Sequence, residues 1–265
     1  MPNRSRPGLL VSLFFLGLTL MLPAGIRPGS PDEISVDQVV EKAYQRLVSY
    51  QDFGRWQALV ISSQTNADRH WQADKIRRVT KRMKFDGGLL DEEILEAVEI
   101  ENGRTKDITG PYRQQRLERL RKIREEREKA RTSDQGPGSG LELSLDDLIP
   151  FSEKNRKNYL FKLLGEAELD GERVVLLEAR ARVKKDFLFE GLFYLSGDSY
   201  DLRRLEITPV KTPGFIREFL MEVDLALWQD RLVMKKVRIK IYGRFLFKSI
   251  RRIIEEEYSD YQPLN

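Results

Sequence analysis

Phe215-Ile216-Arg217-Glu218-Phe219-Leu220-Met221-Glu222-Val223-Asp224-Leu225-Ala226-Leu227 is the stretch that decides the fold class. Phe215, Phe219, Met221, Val223, Leu225 and Leu227 form one apolar row, and Glu218, Glu222 and Asp224 lie opposite it. A period of two is that of a strand with one face on a core and the other in water. After Trp228-Gln229-Asp230 the pattern resumes, with Val233, Val237, Ile239 and Ile241 alternating against Lys236, Arg238 and Lys240. A connection that short joins antiparallel strands, because a parallel crossover needs a dozen residues or more.

The same reading extends outward in both directions. Downstream, a last strand is expected from about Phe245 to Tyr258. Upstream, Tyr159, Phe161 and Leu163 lead into Asp170-Gly171, a hairpin dipeptide, and then into Val175, Leu177, Ala179 and Ala181. Phe187, Phe189, Phe193 and Leu195 follow, then a turn at Gly197-Asp198 and a strand near Leu202 to Thr208. In the amino-terminal half, three strands are expected around Trp56, Ala58 and Val60, around Val79, Met83 and Phe85, and around Ile94, Glu96, Val98 and Ile100. Gly87-Gly88 and Asn102-Gly103 supply backbone freedom for tight turns.

Helices are few. Ser35 can cap a helix whose apolar residues Val36, Val39, Val40, Ala43, Tyr44 and Leu47 recur at three- and four-residue spacing. Pro111 to Arg131 is helical and heavily charged, with only Leu117, Leu120 and Ile123 as an apolar stripe. Its segment from Arg113 to Arg131 holds nine basic and four acidic residues, on a chain whose formal net charge is +4. Solvation, with i,i+4 pairs such as Glu125 with Lys129, is the plainest role for this helix. Contact with anionic headgroups or an acidic partner is the other. A glycine-rich linker runs from Thr132 to Gly140, and Leu141 to Ile149 reads as a short apolar helix or irregular segment. The expected fold class is therefore α+β: a large curved antiparallel sheet with an amino-terminal amphipathic helix and helical lid elements.

Residues 1–25 read as an export signal, with Arg4 and Arg6 before the apolar run Leu9 to Leu22 and small residues at Pro23-Ala24-Gly25. Residues 26–265 then form one domain, into which the charged helix and linker at 111–140 are inserted. With 265 residues, no cysteine and a single histidine, His70, the chain has no disulfide framework and none of the usual zinc or triad arrangements. Phosphate-binding glycine loops and nucleophile elbows are missing as well. The acidic runs Asp91-Glu92-Glu93, Asp146-Asp147 and Glu255-Glu256-Glu257 are expected at the solvated surface. No catalytic residue, metal or cofactor is expected, and the export signal argues against nucleic acid as a partner.

Each strand presents one apolar face, yet only one helix carries a real apolar stripe. A sheet with aromatic and β-branched residues inside, covered only in part, leaves a groove that water solvates poorly and that acyl chains suit. Phe187, Phe189, Phe193, Phe215, Phe219, Met221, Val223 and Ile239 are the candidate liners.

Four features together resemble the LolA-like superfamily of periplasmic lipoprotein carriers. They are the export signal with the helix Val36 to Tyr50, the run Asp170 to Glu178, Gly191 to Tyr194 followed by Leu202-Arg203-Arg204-Leu205-Glu206, and the closing amphipathic strands to Tyr261. The resemblance implies an incomplete β-barrel with helices plugging its open side, and cargo passed on without chemistry. It implies lipid or lipoprotein acyl chains as ligand, membrane-bound donor and acceptor proteins as partners, and a monomer. It also makes Pro111 to Arg131 a lid element. An envelope interaction or sensor module, using the sheet as a platform and the basic helix as contact, is the alternative.

Overall fold

Alternation along the chain resolves into eleven strands hydrogen-bonded in one sheet, every adjacent pair antiparallel. The computed structural model describes residues 35–50, 55–86, 89–132, 149–185, 188–245 and 248–264. The export signal, the Gly87-Gly88 turn, the glycine-rich linker after Thr132, Leu141 to Leu148 and Phe187 fall outside them.

In chain order the elements are α1 (Val36–Ser49), β1 (Trp56–Ala67), β2 (Ala73–Asp86), β3 (Leu89–Glu101), β4 (Arg104–Asp107) and α2 (Thr109–Thr132). After a short 3-10 turn come β5 (Tyr159–Leu169), β6 (Glu172–Ala181), β7 (Phe189–Ser196), β8 (Leu202–Pro209), β9 (Ile216–Trp228), β10 (Arg231–Phe245) and β11 (Lys248–Pro263). The spatial order β4-β3-β2-β1-β11-β10-β9-β8-β7-β6-β5 makes two meanders joined at one seam. At that seam β1 and β11 pair, with Val60 opposite Tyr258 and Ser62 opposite Glu256. The sheet stays open, because β4 and β5 are its two edges.

Two of the expected turns, Asn102-Gly103 and Asp170-Gly171, form as their chemistry requires. Asn102 (φ 51) with Gly103 (φ 73), and Asp170 (φ 52) with Gly171 (φ 83), each put positive φ at both loop positions, the geometry that matches the twist of the flanking strands. Gly191 serves a different need: a Cβ there would stand 2.0 Å from the Glu206 carbonyl oxygen, so only glycine lets β7 approach β8. Three boundaries differ from the sequence reading. Phe215 precedes β9, Phe245 ends β10, and β11 runs on to Pro263. The exposed strand β4 was invisible to periodicity because it buries nothing.

Opposed residues of an antiparallel pair share a face. One face, here the inner one, carries the main core, and α1 lies over it. Ser35 caps α1, accepting from the Gln38 N–H while the Gln38 side chain accepts from the Ser35 N–H. Its buried residues Val39, Val40, Ala43 and Leu47 meet Ile149, Phe151, Leu177, Phe193, Leu205 and Ile207, and Phe151 packs edge-on to Phe193 at 5.7 Å. A buried carboxylate fastens the far end of α1: Asp201 Oδ1 accepts from Arg46 Nε and the Tyr50 hydroxyl, both at 2.7 Å, and its Oδ2 from Ser199. Burial pushes the Asp201 carboxyl up, but the bonds from Arg46, Ser199 and Tyr50 outweigh it and hold the group below the ordinary aspartate range. The Tyr50 hydroxyl is pushed up to about 12, first by burial and then by Asp201.

α2 begins where Asp107 accepts from the Thr109 N–H and hydroxyl. Its expected stripe does not carry the docking: Leu117 is 68% exposed, Leu120 is half-buried, and the Ile123 side chain lies outside the described residues. Tyr112, together with Ile108 just ahead of the helix, packs instead against Val79, Ile94 and Ala97. Among the described side chains of the helix, those that reach the sheet lie in its first turns, at Tyr112, Arg113 and Arg116. The expected partner of Glu125, Lys129, has its side chain outside the described residues; Glu125 pairs instead with Arg121, one turn earlier, at 2.8 Å.

Candidate functional site

The inner face changes character strand by strand. On β7 and β8, Phe193, Leu195, Leu205 and Ile207 are fully buried. On β9 and β10, Phe219 stands opposite Ile241, Met221 opposite Ile239, and Val223 opposite Val237; on β11, Ile254 stands opposite Ile239. Met221 and Val223 are buried, whereas Phe219, Val237, Ile239, Ile241 and Ile254 are only half-buried. These five make an apolar strip across three strands, bordered on one side by the core under α1.

Polar chemistry borders the strip on the other side. Lys81 of β2, Glu92 of β3 and Glu256 and Tyr258 of β11 all point to the inner face by register. Lys81 Nζ donates to Glu256 Oε1 at 3.2 Å and lies 3.6 Å from Glu92 Oε1. Arg116 of α2 grips Glu92 with both Nε and Nη2, each at 3.0 Å, and the Tyr258 hydroxyl donates to Glu256 at 2.7 Å. Burial raises the Glu256 carboxyl, but Lys81, Tyr258 and Ser62 draw it further down, so it sits below the ordinary glutamate range. Burial and Glu256 push the Tyr258 hydroxyl above its usual range. Arg113 adds a second tie from α2, donating from Nε to the Ile94 carbonyl at 2.8 Å. The cluster is mutually satisfied, a fastening for α2 beside an apolar surface.

Of the acidic runs expected at the surface, two therefore send their middle member inward. Strand alternation is the reason: Asp91 and Glu93 are exposed while Glu92 turns toward Lys81, and Glu256 does the same between Glu255 and Glu257. The periodicity within each run could have flagged the inward residue. That the two inward residues converge on one lysine depends on the β1–β11 seam, which no local pattern encodes.

The candidate liners separate into groups. Phe189, Phe193, Met221 and Val223 belong to the main core, and Phe219 and Ile239 are half-buried against it. Phe215 stands 49% exposed at the end of the sheet, ahead of β9. Val237, Ile241 and Ile254 join the strip without having been singled out. Val237 and Ile241 were in a recognised alternating row, but Arg251-Arg252-Ile253-Ile254 has no alternation to say which isoleucine faces in. A separate open pocket of about 470 Å³ lies between α1 and β5, lined by Val40, Glu41, Arg156, Tyr159, Phe161 and Arg182. Glu41 and Arg156 pair there at 2.8 Å.

Among solved structures the chain is similar to a domain assigned to outer-membrane lipoprotein sorting from Vibrio parahaemolyticus, at 13% identity and TM-score 0.40, covering 87% of this chain and 94% of that one. It is also similar to a LolA superfamily protein from Nitrosomonas europaea, at 12% identity and TM-score 0.38, covering 88% and 95%. A third structure, of a DUF1329 family protein from Desulfovibrio piger, matches at 11% identity and TM-score 0.38, covering 86% and 92%. No family profile matches the sequence, and no curated protein does. Of the features that carried the resemblance in the sequence, Asp170 to Glu178 falls on the β5–β6 turn and β6, Gly191 to Tyr194 on β7 and Leu202 to Glu206 on β8, which pairs with β9.

Proposed function

We propose that this protein is an exported, periplasmic carrier or binding protein that holds lipid or lipoprotein acyl chains against the inner face of its sheet, without covalent chemistry. The observation that carries the reading is the half-buried strip Phe219, Val237, Ile239, Ile241 and Ile254, between a filled core and a satisfied polar cluster. Apolar side chains left half in water gain when a hydrocarbon tail displaces that water, by about 0.8 kcal/mol per buried CH₂. Met221 and Val223 form the floor beneath the tail, and Phe219 and Ile239 touch it. Cargo arrives from and leaves to membrane-bound proteins, the carrier itself acting as a monomer with no cofactor.

The test is a solvatochromic fatty-acid probe titrated into the purified protein, with native mass spectrometry of the same sample. A blue shift that saturates, and that Ile239→Asn weakens at least tenfold while the fold is retained, is the expected result. No blue shift and no co-purifying lipid would overturn the reading.

A further inference from the structure

The two ends of the sheet have opposite chemistry. In the meander β5 to β11, connections β5–β6, β7–β8 and β9–β10 lie at one end, and β6–β7, β8–β9 and β10–β11 at the other. The first three carry Asp170, Asp198, Asp201 and Asp230. Asp170 pairs with Lys235, Asp198 with Arg173, and Asp201 with Arg46. Asp230 is exposed, and at the other three of these four aspartates that end is electrostatically answered from within.

The other end is not. Arg217, Arg244 and Lys248 are exposed there, and none has an ion-pair partner among the described residues. Lys184 and Lys185 add two more exposed cations on the β6–β7 connection. Of the acidic residues described on these strand ends and turns, Asp68 is held by the backbone N–H groups of His70 and Gln72, and Glu101 lies 3.4 Å from Lys75; Glu218 and Asp74 are exposed, Asp37 is exposed nearby at the start of α1, and Asp186 of the β6–β7 connection lies outside the described residues. Among these cations stand two large apolar side chains in water: Phe215 is 49% exposed and Ile250 is 55% exposed. They are neighbours, since the Arg244 N–H donates to the Phe215 carbonyl at 2.7 Å and Ile250 lies opposite Gly243.

We propose that this end of the sheet is a docking surface for an anionic lipid bilayer, with Phe215 and Ile250 entering the headgroup boundary and Arg217, Arg244 and Lys248 meeting the lipid phosphates. Charge complementarity names the occupant as anionic. The placement of apolar side chains among the cations, Phe215 on the β8–β9 connection and Ile250 near the start of β11, favours a layered interface over the surface of an acidic protein. Each cation held near an anionic surface strengthens attraction about fivefold. The proposal rests on residues apart from the apolar strip, so it stands or falls separately from the carrier reading.

The experiment is flotation of the exported protein with vesicles of equal parts phosphatidylglycerol and phosphatidylcholine, and with phosphatidylcholine alone. Binding to the anionic vesicles only is expected, weakening as salt rises toward about 1 M, where the screening length falls to about 3 Å. Arg244→Glu with Lys248→Glu is expected to weaken binding at least tenfold, and Phe215→Ser with Ile250→Ser at least threefold. Arg173→Glu with Lys235→Glu, the same charge change at the opposite end, leaves it intact, as does Ile239→Asn in the strip. Circular dichroism confirms that each variant is folded. No binding to anionic vesicles, equal binding to neutral ones, or equal loss from charge reversal at either end would each overturn the proposal, the first pointing to an acidic protein as the partner of this surface.

Discussion

The inner face under α1 and the strip across β9, β10 and β11 are built from strands of the same alternation, yet one is filled and the other is left half-buried. Under α1 the row contributed by β6 to β8 is aromatic and branched, and the helix stripe and Phe151 meet it without leaving the residues exposed. Beyond β9 the row passes through half-buried isoleucines into Lys81, Glu92 and Glu256, and among the described side chains of α2 those of its first turns return to cover it. What separates the two regions is the supply of apolar surface to lay over the strands. The helix with a stripe covers its half, whereas the charged helix docks through Tyr112, Arg113 and Arg116 and keeps Leu117 in water.

That contrast predicts a graded response to substitution. Phe193→Ala in the filled half should cost about 3–5 kcal/mol in denaturant unfolding, because the ring is fully buried and its neighbours cannot collapse into the void. Asp201→Ala should come next at about 3 kcal/mol, since it strands the Arg46 guanidinium and the Tyr50 hydroxyl of α1. The wild-type pH profile should report the same contact. A carboxyl depressed in the folded state contributes fully above its unfolded value near 3.8, and the contribution is lost as pH falls through the folded value. Tyr50, raised to about 12 from 10, contributes below pH 10 and loses that contribution as pH climbs toward 12. Unfolding midpoints that are flat across both windows would show that α1 is not fastened this way.

Much of this was legible in the sequence, and what was hidden at the candidate site has one main cause. Strands, turns and the α1 cap are local, so alternation, Asp170-Gly171 and Ser35 gave them away. The β1–β11 seam joins residues far apart in the chain, with Thr65 opposite Ile253, and neither strand carries a local sign of its partner. Everything that depends on the seam was therefore hidden: the convergence of Glu92 and Glu256 on Lys81, and the membership of Ile254 in the strip. Phe215 shows the converse error. It continued an apolar row by period but precedes the strand, so periodicity placed it on the inner face when it stands at the end of the sheet.

In the polar region, Lys81→Met should cost about 1–3 kcal/mol, because it leaves Glu256 with a partner short and Glu92 held by Arg116 alone. Removing Lys81 also takes away the nearest opposing charge while burial remains, so the Glu256 carboxyl should rise. Acid unfolding should then begin at higher pH than in the wild type, since the stability that a depressed carboxyl supplies above its unfolded value near 4.5 is diminished. Adding Glu256→Gln to Lys81→Met should recover part of the loss; additive losses from the two changes would mean that Lys81 and Glu256 are not coupled.

The smallest effect on folding should come from the strip, and there the comparison is sharpest. Phe219→Ala removes a ring that is already half in water, so about 1 kcal/mol is expected, well below the cost of Phe193→Ala although the chemical change is identical. Binding of the fatty-acid probe should respond in the reverse order per unit of stability lost. Phe219→Ala weakens it severalfold in a protein that remains folded, while Leu205→Ala, buried under α1, lowers the unfolding midpoint and leaves the probe affinity of the folded fraction unchanged. If both substitutions cost the same in unfolding, the strip is as well packed as the core and has no surface to offer a hydrocarbon tail. If instead they separate in stability but neither moves the probe, the half-buried isoleucines are simply an edge of the core, and a ligand, if held, is held elsewhere on the sheet.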